Sequence, residues 1–381
     1  MAFREAAVSS GIQLSLMIGP VVPVPVSSDV IDALTAVTVT TSTHGRTGFQ
    51  ITLSLDKTSA LNTLFLLAGG ATPPLVRVVI AVTVLGSSQV LIDGVITHHQ
   101  LSPGANGQPS TLSLIGDDLS RVMDYIDFSG IPYPAMPREA RVALIIAKYA
   151  VLGMIPLVIP SLLIDVPIPI DRIPRHQGKD LGYVKRLADE VGYVFYIEPG
   201  PAPGMTYAYW GPEIKVGAPQ PALNIDMDVF TNVETLQFSY RPDDTRIPVV
   251  FYYNEQTHIP IPIPVPDVTP LNPPLGAIPP IPTGLNLLPT ASKSPIDVAL
   301  TALKAAARAK EAVTGSGSLD VLRYGRPLRP RRLVGVRGAG AAFDGLYYVD
   351  SVTDELKPGE YKQRFTLSRN GLVSTFSTVP S

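Results

Sequence analysis

The sequence of 381 residues contains no cysteine, which excludes a disulfide framework and any metal site built on thiolates. Charge is scarce as well, because charged residues make up 16% of the chain and the formal net charge is -2. Such a chain lacks the bulk positive charge with which nucleic-acid-binding proteins neutralise phosphates. We therefore expect no specific nucleic acid as a partner.

Long uninterrupted apolar runs are also missing. The best candidate, residues 149–164, is broken by Pro156 and Pro160 and is shorter than the roughly 20 residues that a membrane-spanning helix needs. The apolar residues 12–26 contain three prolines and follow Glu5, so a secretory signal peptide is not expected. We expect no stable membrane insertion.

Hydrophobic residues and proline are abundant instead. Hydrophobic residues make up 45% of the chain, and there are 39 prolines, about twice the usual share of ~5%. With so few charges, part of the surface must be apolar or covered by a partner. This composition predicts a β-rich subunit of an assembly.

Residues 1–116 have the pattern of a meander of strands. Residues 48–55 alternate between polar and apolar side chains, as in a half-buried strand, and residues 76–85 are almost entirely apolar, as in a strand covered on both faces. The predicted strands are residues 12–17, 36–41, 48–55, 76–85, 90–97 and 111–115. We expect them to close into a first β-barrel-like domain.

Residues 117–192 are predicted to form a helical connecting region, with helices at residues 119–125 and 137–151. A third helix is indicated by apolar residues that recur at three- and four-residue steps: Leu181, Val184, Leu187, Ala188 and Val191. Asp180 suits the start of this helix and Gly192 suits a left-handed cap at its end. Residues 193–197, aromatic and β-branched, are predicted to be a strand.

The rest of the chain is predicted to form a second β region. Residues 193–257 carry strands at 206–210, 222–226, 233–240 and 249–253. Residues 258–293 are rich in proline, which removes donors that a sheet needs and favours polyproline II, so we expect an extended strap on a protein surface. Residues 294–381 are predicted to contain a helix up to Val313 and the closing strands 318–323, 332–336, 345–352 and 361–367.

The histidines do not have the spacing of a metal site. They are His44, His98, His99, His176 and His258. Adjacent residues such as His98 and His99 point to opposite faces of a strand, so we interpret the histidines as polar residues at strand ends. We expect no metal and no cofactor.

The acidic pairs favour structural roles. Asp117 and Asp118 directly precede a predicted helix, and capping explains them better than general acid catalysis does. Asp226, Asp228, Asp243 and Asp244 are interpreted as acids of turns and strand ends. The chain has no Gly-x-Ser-x-Gly motif and no phosphate-binding loop, and the glycines at 338 and 340 precede a strand rather than a helix. We expect no enzyme.

One stretch of the sequence is strongly basic. It contains Arg323, Arg326, Arg329, Arg331, Arg332 and Arg337. Apart from Tyr324, the aromatic residues typical of single-strand nucleic-acid binding are missing. Two interpretations remain open: a protein interface, in which guanidinium groups pair with carboxylates of another subunit, and a simple solvated face. The apolar residues 149–170 likewise fit a buried connection or a subunit contact better than a membrane contact.

Two stretches of the sequence carry longer motifs. The first is Gln177-x-x-Asp180-Leu181, followed by the helix and by the strand that begins at Tyr193. The second comprises Leu328-Arg329-Pro330, Leu333 to Val336, Phe343 to Val349 and Tyr361 to Arg369. Both stretches resemble the phage late control protein D family. That family is similar to the N-terminal half of the valine-glycine-repeat (VgrG) tip proteins of type VI secretion and to the trimeric baseplate hub of contractile phages. Asp354 stands where the family often has a histidine.

The resemblance implies a mainly β fold with α+β insertions, in which two tandem β-barrel-like hub domains are joined by a helical unit. Three subunits would form a homotrimeric ring with quasi-sixfold symmetry. The ring would adapt a sixfold tube to a threefold spike and transmit the force of contraction.

The implied partners are a separate spike protein, an inner tube or tube-initiator protein, and baseplate wedge or LysM-type adaptor proteins. Assembly would take place in the bacterial cytoplasm, as part of a phage tail or injection-system particle. Two alternatives stay open from the residues, namely a peptidoglycan hydrolase of the same particle and a membrane-contacting module.

Overall fold

The structure, a computed structural model, describes residues 11–55, 75–104, 109–161, 166–170, 173–242, 246–254, 259–264, 272–281, 284–288, 298 and 311–376. The fold is mainly β, as predicted. The α-helices are α1 (Ser28–Ala33), α2 (Arg138–Ala147), α3 (Asp180–Glu190) and α4 (Val321–Tyr324).

The strands up to residue 211 begin with the predicted meander, which ends at Asp118. They are β1 (Ile12–Gly19), β2 (Val24–Pro25), β3 (Leu34–Ser42), β4 (Gly48–Leu55), β5 (Arg77–Val84), β6 (Ser87–Ser102), β7 (Ser110–Asp118), β8 (Met154–Val158), β9 (Val194–Pro199) and β10 (Thr206–Gly211). Seven of the eight residues of β5 are buried, because the strand is covered on both faces as its apolar sequence predicts.

The remaining strands include the predicted closing unit. They are β11 (Gln220–Asn224), β12 (Thr235–Tyr240), β13 (Arg246–Asn254), β14 (Ile259–Pro264), β15 (Gly276–Ile278), β16 (Gly284–Leu288), β17 (Val313–Asp320), β18 (Leu333–Arg337), β19 (Gly345–Lys357), β20 (Glu360–Arg369) and β21 (Leu372–Ser374).

One large sheet joins the beginning and the end of the chain. Its order is β12-β17-β20-β19-β3-β4-β7-β6-β5-β1-β2, with β18 beside β19 and β11 beside β18. The two regions meet where β3 pairs antiparallel with β19, from Ser42 opposite Ser351 to Val37 opposite Leu356. A single hydrophobic core contains buried side chains of both regions, such as Ile51 and Leu367.

The two halves of this sheet are built alike on either side of the β3–β19 boundary. Thr40 and Thr353 pair directly across it, and their hydroxyl oxygens are 3.2 Å apart. The residue before each threonine is a valine. In each half, this valine pairs with a phenylalanine on the next strand, and the phenylalanine pairs with a glycine on the strand after that. The rows are Val39, Phe49 and Gly116 on β3, β4 and β7, and Val352, Phe365 and Gly317 on β19, β20 and β17.

The repeat extends to the helical turns that follow these strands. Strand β7 ends at Asp118, whose side chain caps a 3-10 helix, Leu119–Asp124. Strand β17 ends at Asp320, whose side chain caps α4. The order of the strands along the chain differs between the halves, so the likeness lies in spatial arrangement.

The helical region has a core of its own. Val142, Ile145 and Ile146 of α2 pack with Val184 and Leu187 of α3. Helix α3 occupies the predicted position, and Gly192 after it has a φ of +72°, as a left-handed cap requires. The chain then enters β9, which confirms the predicted strand.

Strand β8 was not predicted. It pairs in parallel with β10, which also pairs antiparallel with β9, and the three strands form a small separate sheet. Pro156 lies within β8, and β8 is an edge strand of this sheet, where a missing donor is tolerated.

The proline-rich segment differs from the predicted strap, because parts of it join sheets. Strand β14 pairs antiparallel with β13, β16 pairs parallel with β13, and β15 pairs with β21. The prolines of β14 alternate, so their missing donors fall on one side of the strand, and β14 is an edge strand. The helix predicted for residues 294–313 lies largely outside the described residues, although Val313 belongs to β17.

Candidate functional site

A cleft opens where the β3–β4 turn, the end of β7, helix α3 and strand β9 meet. Its volume is about 320 Å³. Charged groups of both signs line it, among them Arg46, Asp118, Lys185 and Arg331, together with the ring of Tyr196. The cleft therefore lies at the junction of four sequence regions that were predicted as separate units.

Arg331 leaves the basic stretch and turns into this junction. It is 5% exposed and has a φ of +59°. Its guanidinium carbon lies 4.0 Å from the centre of the Tyr196 ring, and its Nη2 donates to the Ser42 carbonyl oxygen at 2.7 Å. A cation held between an aromatic face and a carbonyl has a fixed position, so Arg331 ties the closing β-unit to β3 and β9.

Capping was predicted for both acids at the end of β7, and only Asp118 has this role. Asp118 accepts a hydrogen bond from the Ser120 backbone N–H at 3.0 Å and so caps the following turn. Burial raises the pKa of Asp118, although its hydrogen bonds from Ser120 and the charge of Arg331 oppose this effect. Asp117 lies 3.4 Å from the guanidinium of Arg46 in the β3–β4 turn.

The other basic residues spread over the surface around the start of β18. The Nε of Arg329 donates to Gln89 Oε1 at 3.0 Å, and Arg332 lies 3.4 Å from the Glu198 carboxylate. Arg323 and Arg326 are exposed. Arg337 at the end of β18 is half-buried. The six arginines predicted as one cluster thus separate into one inward residue and a dispersed outer set.

A buried polar cluster beside α3 was missed from the sequence. His176 was interpreted as a strand-end residue, but it is 1% exposed. Its Nδ1 lies 3.0 Å from the Tyr133 hydroxyl, and its Nε2 lies 3.4 Å from Asp180 Oδ1. Burial lowers the pKa of His176. The four-residue spacing of His176 and Asp180 at a helix start was the available signal.

Asp180 is the centre of this cluster and is fully buried. Its Oδ2 accepts a hydrogen bond from the Tyr149 hydroxyl at 2.7 Å and lies 2.6 Å from the ammonium of Lys148. The Lys148 ammonium in turn sits 3.8 Å from the centre of the Phe128 ring. These contacts hold α3 against the residues that follow α2, so they have a structural role.

Of the remaining histidines, His258 lies outside the described residues, and His44 lies 3.5 Å from the Glu213 carboxylate. The other two are His98 and His99. Both lie on β6, opposite Ile115 and Leu114, and both are exposed. In the part of the chain that the structure describes, no three His, Asp or Glu side chains are grouped as metal ligands. Among the same residues, no helix has the length and apolarity needed to cross a membrane.

In the apolar stretch 149–170, of which residues 149–161 and 166–170 are described, Leu152 and Met154 are buried but several other apolar side chains are exposed. Val151 is 75% exposed and Ile170 is 94% exposed. Ile155 and Leu157 of the edge strand β8 are also exposed. Exposed apolar side chains in such number are typical of surfaces that another subunit covers.

The comparisons with known proteins concern the fold. The sequence matches no family model and no curated protein. The structure is similar to the tail protein from Neisseria meningitidis, with a TM-score of 0.61 and 14% identity, over 95% of this chain and 98% of that chain. It is also similar to a 43 kDa tail protein of prophage MuSo2 from Shewanella oneidensis, with a TM-score of 0.59 and 11% identity, over 94% and 98% of the two chains.

The similarity also includes a VgrG complex. A chain of the Francisella PdpA-VgrG complex matches with a TM-score of 0.55 and 8% identity, over 97% of this chain and 54% of that chain. The chain therefore has the fold of phage tail proteins and of part of a VgrG complex, which confirms the resemblance at the level of fold.

Proposed function

We propose that this chain is the structural baseplate hub of a contractile phage tail or phage-like injection system. Three copies form a ring that adapts a sixfold tube to a threefold spike and transmits the force of sheath contraction. Its partners are then a separate spike protein, an inner tube or tube-initiator protein, and baseplate wedge or LysM-type adaptor proteins. The particle is assembled in the bacterial cytoplasm.

The observation that carries the proposal is the repeat on either side of Thr40 and Thr353. A hub that joins sixfold and threefold partners needs six similar docking faces from three subunits, so each subunit must contain two similar modules. The rows that end at Gly116 and Gly317 have the same residue types in the same order on three successive strands. Their matching Asp-capped turns support the same division into two look-alike modules.

The rigidity of the junction supports a role in force transmission. The modules share the β3–β19 pairing and one hydrophobic core. Arg331 adds a further link between the closing unit and β3. Because protein interiors are close-packed, a load applied to one module is passed to the other rather than absorbed.

The surface composition supports assembly. Only 16% of residues are charged, and large apolar side chains such as Ile170 and Phe230 are exposed. Stable subunit interfaces bury apolar patches of this kind. The fold shared with tail proteins of Neisseria meningitidis and prophage MuSo2 is in keeping with this proposal.

The test of the proposal is the mass and shape of the purified protein. Light scattering with size-exclusion chromatography should give three times the 40.7 kDa of one chain. A monomer at all concentrations, with or without the spike protein expressed beside it, would refute the hub.

The same preparation tests the enzymatic alternative. Asp118 and His176 are held in structural contacts, so we expect no release of soluble fragments from purified peptidoglycan. Turnover that is lost in Asp118→Asn or in His176→Gln, while the variants stay folded, would favour a hydrolase.

A further inference from the structure

A short loop after β11 displays two large apolar side chains to solvent. Val229 is 86% exposed and Phe230 is 71% exposed. Asp226 and Asp228 beside them are exposed as well. We call residues 226–230 the apolar knob. It combines an unpaired hydrophobic tip with two carboxylates that form no ion pair in the described part of the chain.

The apolar knob is held in place by its own backbone. The Phe230 N–H donates to the Met227 carbonyl oxygen at 3.0 Å, and the Met227 N–H donates to Thr231 Oγ1 at 2.9 Å. Asp226 and Asp228 have φ values of +52° and +48°, a conformation that is uncommon for residues other than glycine and that aspartate tolerates. A loop fixed in this way presents Phe230 at low entropic cost to a partner.

Asn232 anchors the base of the knob to β11. Its Nδ2 donates to the Ala222 carbonyl oxygen at 2.9 Å, and its Oδ1 accepts from the Asn224 N–H at 2.8 Å. The knob therefore projects from the C-terminal end of this strand.

A basic surface lies at the other end of the same strand. Arg323 and Arg326 are exposed, and within the described residues neither guanidinium forms an ion pair. Tyr324 between them donates to the Pro221 carbonyl oxygen at 2.6 Å, which places this turn beside the start of β11. We call Arg323, Arg326 and Arg329 the arginine surface.

An exposed apolar side chain lies at the tip of the hairpin that Arg329 contacts. Arg329 is hydrogen-bonded to Gln89 of β6, and the hairpin turn four residues earlier carries Leu85, which is 65% exposed. The arginine surface thus offers guanidinium groups, one of which contacts the hairpin that carries this leucine. The knob offers carboxylates around an exposed phenylalanine, so the two surfaces are complementary in charge and in polarity.

The two surfaces are separated along β11, which spans five residues and hence about 16 Å at ~3.3 Å per residue. Two unlike surfaces of one subunit form a heterologous contact between copies, and such contacts close into a ring when the rotation fits. A second copy of this chain is therefore the occupant that the charges favour.

We infer that the apolar knob of one subunit docks on the arginine surface of the next subunit in the ring. This inference rests on the proposed function, because it names a contact between subunits of the proposed ring. Asp226 and Asp228 pair with Arg323 and Arg326 of the neighbour, and Phe230 packs beside its Leu85. Charge pairs at a contact fix its register and suppress other arrangements.

The test is a charge swap in the full chain. Arg323→Glu with Arg326→Glu should raise the concentration at which trimers form by at least ~100-fold, because each change replaces an attractive charge pair at the contact with a repulsive one. Asp226→Lys with Asp228→Lys should do the same. The protein that carries all four changes should form trimers again, because each ring contact then has its charges exchanged.

Matched controls separate the contact from general effects of charge and polarity. Lys357→Glu changes an exposed cation elsewhere and should leave the trimer intact. Phe230→Ser should weaken the trimer, whereas Leu144→Ser, at a position 50% exposed on α2, should not. Because lysine is strained at positive φ, Asp226→Asn with Asp228→Asn is the variant to use if the lysine protein unfolds on heating at a clearly lower temperature.

The outcomes distinguish this inference from the proposed function. If the unchanged protein forms no trimer, the hub itself is refuted. If the unchanged protein is a trimer and the reversed variants remain trimers at the same concentration, the hub stands and the knob contact is wrong. Failure of the four-change protein to recover, although it is folded, would also overturn the contact.

Discussion

Arg77 and Asp93 form a buried ion pair on neighbouring strands β5 and β6. Their side chains are 3% and 0% exposed, and two parallel hydrogen bonds of 2.7 and 2.6 Å join them. Arg77 also donates to the carbonyl oxygens of Val21 and Gly204, and Thr206 donates to Asp93. The pair therefore joins the large sheet to the β9–β10 hairpin, which belongs to the small sheet.

The change Arg77→Met should lower the free energy of unfolding by about 3–5 kcal/mol, because it leaves a buried carboxylate without its cation. Urea unfolding followed by circular dichroism measures this loss. The control is Arg364→Met, which breaks an ion pair with Glu355 whose arginine side chain is 72% exposed and should cost less than about 1 kcal/mol. Equal losses in the two variants would contradict the role given to Arg77.

The matching glycines of the two halves should respond alike to a methyl group. In Gly116→Ala the new Cβ would collide with the Phe49 ring and the Val95 carbonyl oxygen, and in Gly317→Ala with the Phe365 ring and the Thr235 carbonyl oxygen. Overpacking of this kind costs about 1–3 kcal/mol, so both variants should unfold at lower urea concentration.

Gly182→Ala in α3 is the matched control for the glycine variants. Nothing lies within 4 Å of an added Cβ there, and alanine is favoured over glycine in helices by up to about 1 kcal/mol. This variant should be at least as stable as the unchanged protein. If Gly116→Ala destabilises the protein and Gly317→Ala does not, the two modules are not equivalent.

Local structure could be predicted from the sequence where one side of an element faces a core. The spacing of Val184, Leu187 and Ala188 located α3, and the apolar run of β5 showed that both of its faces are covered. Cap residues such as Asp118 and Gly192 were recognisable because their roles depend on residues within the same turn. These features need only local information.

Long-range pairing could not be predicted from the sequence in the same way. Thr40 and Thr353 are separated by 313 residues, and no pattern within either strand specifies its partner. The inward turn of Arg331 depends on the Tyr196 ring and the Ser42 carbonyl oxygen, both distant in sequence. The strand β14 was missed because its alternating prolines are compatible with both polyproline II and an edge strand.

Asp354 should make stability depend on pH. It is buried on β19 and accepts hydrogen bonds from the Tyr361 hydroxyl at 2.6 Å and from Gln363 Nε2 at 2.7 Å. Burial raises the pKa of Asp354 to about 6, although both hydrogen bonds oppose the rise. The folded protein thus favours the protonated carboxyl, while the unfolded chain ionises near 3.8.

These two pKa values determine whether folding stability rises or falls with pH. Well below pH 3.8 the carboxyl is protonated in both states. Between pH 3.8 and about 6 the unfolded chain loses its proton while the folded protein keeps it, so folding stability falls. Asp354→Asn keeps the acceptor oxygen without the charge. The free energy of unfolding of this variant, relative to that of the unchanged protein, should therefore rise by on the order of 3 kcal/mol between pH 4 and pH 7.

Urea midpoints of the two proteins across pH 4 to 8 measure this difference. Burial raises the pKa of Asp350 to about 7 as well, but that residue is present in both proteins and its contribution cancels. A stability difference that stays constant across the range would mean that Asp354 does not titrate as its burial indicates.

The central claim is that each chain holds two look-alike β modules, so that a threefold ring presents six near-equal faces. Electron cryo-microscopy of the purified ring, viewed along its axis without imposed symmetry, tests this most directly. We expect three subunits and six similar lobes of density, with Thr40 and Thr353 at the boundary between the lobes of each subunit. A ring with three lobes, or particles that contain a single chain, would contradict the account.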